Sequence, residues 1–472
     1  MARRGAVPGT AIPRCAPDDA CARDARRAGG RLRAVARAAL VLLAACARPP
    51  APPTLDFWAL GTEGESVAPL VRDFERAHPG VRVRLQAVAF SAAHEKLLTA
   101  VVGDATPDVA QLGNTWIPEF AALRALEPLD PRLARSAVVH RADYFPGAWA
   151  TNVVDGRTFG IPWYVDTRLV FYRSDLMARA GVARAPESWA EWTDAMRRLR
   201  RVQPAGGAPA LLPLNEFEPP LIILSQSGAP LLRDHDTRGN FRDPRVRAAF
   251  AWYVGLFRDG LAPPVASTQV SNVAQEFGAG RYAMYVTGPW NVGEFRRWMP
   301  DTLPPARRPA GPRWATMAMP GPTGAASGTS LAGGSSLVLF RGPGHDDPAR
   351  RALAWQFVEF LSTTAAQARF AQLSSDLPAR ADAWAPAGFG ADPQLAPFLT
   401  QLRRLTPLPS VPEWESIATR VTHAVERAAR GTMTVDAALA ALDAEVDDIL
   451  EKRRWLLARR AAAAAPTHLS AR

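Results

Sequence analysis

Between residues 55 and 112 the chain reads LDFWALGTEGESVAPLVRDFERAHPGVRVRLQAVAFSAAHEKLLTAVVGDATPDVAQL. Residues 55–60 are an apolar run of buried-strand length, and Gly61, Thr62, Glu63 and Gly64 end it. Val67, Leu70, Val71 and Phe74 then recur at helical spacing while Arg72, Asp73, Glu75 and Arg76 take the opposite face, and His78, Pro79 and Gly80 stop the helix. Residues 81–88 alternate, with Val81, Val83 and Leu85 on one face and Arg82, Arg84 and Gln86 on the other, which predicts a second strand. A helix over 91–102 and a strand over 108–112 are expected next. Strands and helices alternating in this way define an α/β fold built on a parallel sheet. Such sheets bind ligands beyond the carboxyl ends of their strands, where the loops 61–66, 89–92 and 113–116 fall.

Further along, Ser188 and Glu191 form a capping box that opens a helix over 188–200. Asp243 and Pro244 open another that reaches Asp259, with Phe250, Tyr253, Val254 and Phe257 facing inward. Helices are also expected over 348–361, 364–373, 412–430 and 435–459. Residues 300–322 are rich in Pro and Arg and aperiodic up to Met317, so they read as an exposed connection, and 460–472 read as a disordered tail. No internal repeat is visible.

With 472 residues and 48% hydrophobic composition, the chain has material for a bilobal protein with a large core. Its net charge of +11 would alone suggest a nucleic-acid partner. Residues 1–45 hold nine Arg against Asp18, Asp19 and Asp24, however, so only +5 remains for everything after them. The charge belongs to an address. Arg26, Arg27, Arg31, Arg33 and Arg37 precede the apolar run 38–45 and then Cys46, the layout of a secretory signal peptide over 1–45 and too short for a membrane span. Leu43, Ala44, Ala45 and Cys46 resemble the lipobox of bacterial lipoproteins, which makes Cys46 the expected lipidated residue; an ordinary signal peptide with an incidental Cys is the competing reading. Residues 46–53 are a Pro-rich tether. The other two cysteines, Cys15 and Cys21, also precede the body, which therefore has no disulfide and no thiolate metal site.

Several stretches together resemble family 1 of the extracellular solute-binding proteins that serve bacterial ABC importers. They are residues 74–81 (FERAHPGV), 108–116 (DVAQLGNTW), 160–166 (GIPWYVD) with 172–176 (YRSDL), 186–189 (PESW), 280–284 (GRYAM) with 288–290 (GPW), Gly333-Gly334, and 377–380 (LPAR). The resemblance runs from about residue 54 to 455, and the order of the pieces is more telling than any one of them. It implies a two-lobed periplasmic-binding-protein fold of type II, with a ligand cleft between lobes joined by a hinge. The N-terminal lobe would comprise 54–162 and 337–378, and the C-terminal lobe 163–336 and 379–459. It also implies a monomer that captures a sugar and delivers it to a membrane permease, exported to the cell envelope and held by its lipid in the periplasm or at the outer face of the cytoplasmic membrane, with no catalysis and no cofactor.

A sugar needs bidentate partners for its hydroxyls and an aromatic ring for its apolar face. The resemblance places an acidic ligand contact at Glu65, for which a helix N-terminal carboxylate is the competing structural role. Relatives often carry an acidic residue where this chain has Gly113, so Asn114 is the expected substitute, with Trp116 as a stacking ring or a core residue. Tyr164 and Asp166 match the crossover motif whose aromatic and carboxylate face the ligand, although Asp166 could instead pair with Arg168. Trp290 is the expected platform of the second lobe. Gly334 and Ser335 belong to the expected ligand wall, with Ser335 standing where relatives commonly have an aromatic. Arg380 matches a position that donates to sugar oxygens, and Asp376 is a nearby acceptor.

Two other classes compete. An exported glycosidase or lyase could use Glu65, Asp166 and Asp376, since glycosidases need two carboxylates roughly 5–10 Å apart. No nucleophile elbow, zinc-protease motif or phosphate loop occurs, and His78, His94, His140, His235, His345, His423 and His468 are scattered. A receptor for a peptide, polyamine or metal is the second, with metal disfavoured by the same His and Cys distribution.

Overall fold

The computed structural model describes residues 53–299 and 313–464. The expected signal peptide, Cys46 and most of the tether lie outside the described residues, as do 300–312 and most of the expected tail. The described residues from Thr54 onward form one compact unit.

The opening stretch folds as its periodicity predicts. Thr54–Leu60 pairs in parallel with Arg82–Val88 on one side and Val109–Gly113 on the other, with the helices Ala68–Ala77 and Phe90–Val102 between them in sequence. Gly333–Leu339, Gly160–Asp166 and Leu377–Pro378 extend this sheet antiparallel to six strands. Beneath it Phe57 meets Phe357 edge-on at 5.1 Å, and Phe74 meets the same ring at 4.9 Å. All three are fully buried, each stabilising the fold by roughly 1.5–3 kcal/mol.

The second sheet has four strands, in the order Ala315–Met317, Leu169–Tyr172, Tyr282–Thr287, Ala208–Leu211. Only Thr167 and Arg168 separate Gly160–Asp166 of the first sheet from Leu169–Tyr172 of the second. Alternation along that strand splits it between two cores. Leu169 and Phe171 join the core of the first sheet, while Val170 packs with Trp192, Trp414 and the helices Trp414–Ala429 and Val435–Ile449. The lobe boundaries expected at 162/163 and 336/337 fall inside Gly160–Asp166 and Gly333–Leu339, and both strands hydrogen-bond within the first sheet along their whole length.

Three local expectations need correction. Residues 314–319 are not exposed: Trp314, Met317 and Met319 are buried, and Ala315–Met317 is an edge strand. Three residues are too few for alternation to stand out from the Pro-rich background. Residues 61–66 form a helical turn rather than an open loop. The helix expected over 435–459 is two, Val435–Ile449 and Glu451–Ala464, the second reaching past the expected start of the tail.

The capping box at Ser188 is complete, with Glu191 N–H donating to Ser188 Oγ at 3.2 Å and Ser188 N–H donating to Glu191 Oε2 at 3.3 Å. Ser188→Ala should therefore cost about 1 kcal/mol, read as a lower urea midpoint at unchanged slope.

Candidate functional site

The three loops at the carboxyl ends of the parallel strands each send residues into one cavity of about 390 Å³, contributing Glu63, Phe90, and Gly113 through Trp116. The two connections between the sheets supply more of the wall, with Tyr164 to Arg168 on one and Leu331 to Gly334 on the other; Val165 is the exception, being core. Phe217, Glu218, Trp290, Asp376, Leu408 and Glu415 complete the lining.

Glu63, rather than Glu65, lines the cavity. Gly64 lies against the next strand so closely that a Cβ there would sit 2.9 Å from the Cβ of Ala87, which fixes the turn. Residues two apart on a helical turn point roughly 200° apart, so Glu63 faces the cavity and Glu65 is exposed to solvent outside it. Tyr164 Oη donates to Glu63 Oε1 at 3.4 Å and accepts from Gln111 Nε2 and Ser335 Oγ, both at 3.0 Å. Gln111 is itself held by Leu60 N–H, 2.8 Å from its Oε1. Ser335 is thus a buried support behind the wall, not a lining residue, since the pleat of Gly333–Leu339 turns it toward Gln111. Burial pushes the Tyr164 hydroxyl well above its ordinary range, so it stays protonated and donates.

Asp166 lines the cavity and is also paired, accepting from Arg168 Nη1 at 2.9 Å. The two readings of Asp166 are therefore compatible. Arg168 donates in addition to Glu218 and lies 4.5 Å from the ring of Trp290. Burial opposes the charge of Arg168, but Glu218, Asp166 and Glu216 outweigh it and raise its pKa. Burial also raises the pKa of Asp166, an effect that Arg168 only partly offsets. Gly333 makes room for this pair, because a Cβ there would lie 2.0 Å from Asp166 Oδ1. At Gly334, φ is +112° and a Cβ would meet the Tyr164 carbonyl at 2.4 Å, so the wall requires glycine twice in succession.

Two aromatic faces flank these groups. The Trp116 ring lies over Gly113 and 5.4 Å from Phe90, and it is both cavity lining and part of a core cluster. Trp290 is 40% exposed, which leaves a ring face open to a ligand. A Cβ on Gly288 would sit 2.0 Å from that ring, so the Gly-Pro-Trp sequence permits its placement. Asn114 reaches the cavity, but both ends of its amide are bonded internally, to the Gly333 carbonyl at 3.2 Å and from Ser336 Oγ at 2.9 Å. It ties one loop to the facing strand.

Arg380 is not at the site. Its guanidinium folds back on Asp382 at 2.8 Å and Asp143 at 3.1 Å and donates to the Val138 carbonyl at 3.0 Å, so its fork is fully used inside the first sheet's core region. Asp376, four residues earlier, is the group from that segment which lines the cavity. Burial and then the charge of Glu63 raise its pKa well above the ordinary carboxylate range. Glu415 is raised by burial too, with Thr115 and His94 acting the other way.

The shift at Asp376 has a stability consequence. An acid whose folded-state pKa is raised is bound comfortably at low pH and loses stability as pH rises from its unfolded value of about 3.9 through the raised one. Asp376→Asn should therefore raise the melting temperature of the empty protein at pH 7, with the gain vanishing near pH 4. A scan at both pH values checks this.

The architecture and the cavity are those of the two-lobed α/β proteins that hold a ligand in a cleft. The profile of the bacterial extracellular solute-binding protein family matches residues 58–368, and the chain belongs to that family. The solved structure of the sugar-binding protein MalE from the phytopathogen Xanthomonas citri is 46% identical, with a TM-score of 0.78 over 86% of this chain and 99% of that one. The GacH receptor of Streptomyces glaucescens GLA.O shares the fold at 23% identity, with a TM-score of 0.71 over 84% of this chain and 98% of the other. Among curated proteins, the diacetylchitobiose binding protein DasA of Streptomyces coelicolor is 24% identical over 304 residues, 64% of this chain and 68% of DasA. Among the described residues no helix is long and apolar enough to cross a membrane.

Proposed function

We propose that this protein is the exported, lipid-tethered receptor of an ABC importer, capturing a mono-, di- or oligosaccharide in the cavity and delivering it unchanged to a membrane permease. The observation that carries the reading is the lining itself, where Glu63, Asp166 and Asp376 stand beside the rings of Trp116, Tyr164 and Trp290. Carboxylates accept from pairs of sugar hydroxyls, and rings cover the apolar sugar face. The volume of about 390 Å³ falls in the range of small-molecule sites, roughly 300–1,000 Å³. The names of MalE and DasA, a sugar-binding and a diacetylchitobiose-binding protein, support the same ligand class. The cavity walls come from the first sheet, from the short connection to the second, and from Phe217, Glu218 and Trp290 on segments that follow second-sheet strands, so a ligand that touches both sides favours one relative arrangement. That arrangement is the form offered to the permease, with Cys46 as the lipid attachment.

A thermal-shift screen against neutral saccharides, with amino acids and polyamines as controls, tests this. A true ligand at a hundredfold excess over its Kd adds about 2.7 kcal/mol to stability. The expected outcome is a shift confined to saccharides, with the sugar recovered intact; a saccharide consumed during incubation would mean an enzyme, and a shift with polyamines alone a different receptor.

A further inference from the structure

The charge of the cavity wall is lopsided. Among the described residues, Glu63, Asp166, Glu218, Asp376 and Glu415 line it against a single cation, Arg168. Arg168 is already committed to Asp166 and Glu218 and covered by Trp290. His94, the basic group that acts on Glu415, is bonded to Glu119 at 2.7 Å. The charges that act on Glu63 and Asp376 are other carboxylates: Asp166 on both, and Glu63 on Asp376. Asp376 is 3% exposed, and its Oδ2 is buried without a hydrogen-bond partner. Because a buried polar atom left unpaired is costly, a ligand donor that reaches Asp376 from the cavity it lines would be favoured.

We propose, on the basis of the saccharide reading above, that the cleft sorts saccharides by charge. Glu63 and Asp376 accept from hydroxyl or ammonium donors, and sugars bearing a carboxylate or phosphate are rejected. Like charges about 5 Å apart at an effective dielectric near 20 weaken binding on the order of a hundredfold. Protonation of the wall works against the exclusion. Burial raises the pKa of both groups, so an incoming anion is accommodated in part by proton uptake, and the exclusion strengthens as pH rises. Arg168 cannot rescue the anion without releasing Asp166 or Glu218 beside it. Such exclusion works by repulsion rather than by contacts to the preferred ligand.

The test uses matched sets at pH 7.5: glucose, galactose and mannose, their 2-amino forms and their uronic acids, together with the corresponding disaccharides, assayed by thermal shift and then titration calorimetry. In any series that binds, the neutral or amino member should bind at least tenfold tighter than the uronic acid. In Asp376→Asn and in Glu63→Gln that ratio should fall at least tenfold. A uronic acid binding as well as its neutral counterpart would overturn the filter while leaving the saccharide reading intact. A ratio unchanged in both variants would overturn its assignment to these residues. Silence across every series would overturn the saccharide reading, and the filter with it.

Discussion

Replacing Arg168 with Ala should lower the stability of the empty protein by about 3–5 kcal/mol, the usual cost of removing one partner from a buried ion pair. Three contacts are lost together: the bond to Asp166 at 2.9 Å, the bond to Glu218, and the cation against Trp290 at 4.5 Å. What remains is worse than a gap. Asp166 and Glu218 would face each other in a poorly solvated cavity with no cation between them, and the Trp290 ring would lose the group that positions it. Because Arg168 sits in the two-residue connection between the sheets, the same change should also abolish ligand binding. Urea denaturation of the ligand-free protein reads the stability. The double variant Arg168→Ala with Asp166→Asn should recover part of the loss, since the second change removes one of the stranded charges. A cost below 1 kcal/mol for Arg168→Ala would mean that the bridge is solvated and contributes little.

The second large effect is on affinity. Glu63→Ala should weaken saccharide binding roughly 30- to 100-fold, about 2–3 kcal/mol, which is the scale of a charge-assisted hydrogen bond with its geometry enforced. Glu65→Ala should change affinity less than twofold. The contrast matters because the two carboxylates are neighbours of the same chemistry, and only the helical turn 61–66 separates their roles. Removing Glu63 also relieves its repulsion with Asp376, so the empty variant should melt no lower than the parent.

That pair shows where sequence reasoning stops. The apolar periods of residues 55–112 are strong enough to give the parallel sheet and the three segments at its carboxyl ends, and all three segments contribute to the cavity lining, although 61–66 is a helical turn. That Tyr164, Asp166, Trp116, Trp290, Asn114 and Gly334 line one cavity is legible through motif order. The choice between Glu63 and Glu65 was not, because it depends on whether six residues curl or extend, and Gly64 decides this by its packing on Ala87. Arg380 is absent from the lining for another reason: a long side chain can reach the cleft or fold back, and the carboxylates of Asp382 and Asp143 lie nearer. Glu218 and Glu415 carry no local signal. Each sits on a helix far along the chain, and only the tertiary fold brings them to loops at residues 61–116. Asp376 could be suspected from its place beside the 377–380 motif, but its open oxygen is a property of the assembled wall.

The most direct test of the account is calorimetric titration of the protein with the saccharide that shifts its melting temperature most, repeated with Glu63→Ala and Glu65→Ala, and with the sugar chromatographed after each run. The account predicts one site per chain, sugar recovered unchanged, binding weakened roughly 30- to 100-fold in Glu63→Ala and retained in Glu65→Ala. Equal binding by both variants, or a sugar cleaved during the titration, would contradict it.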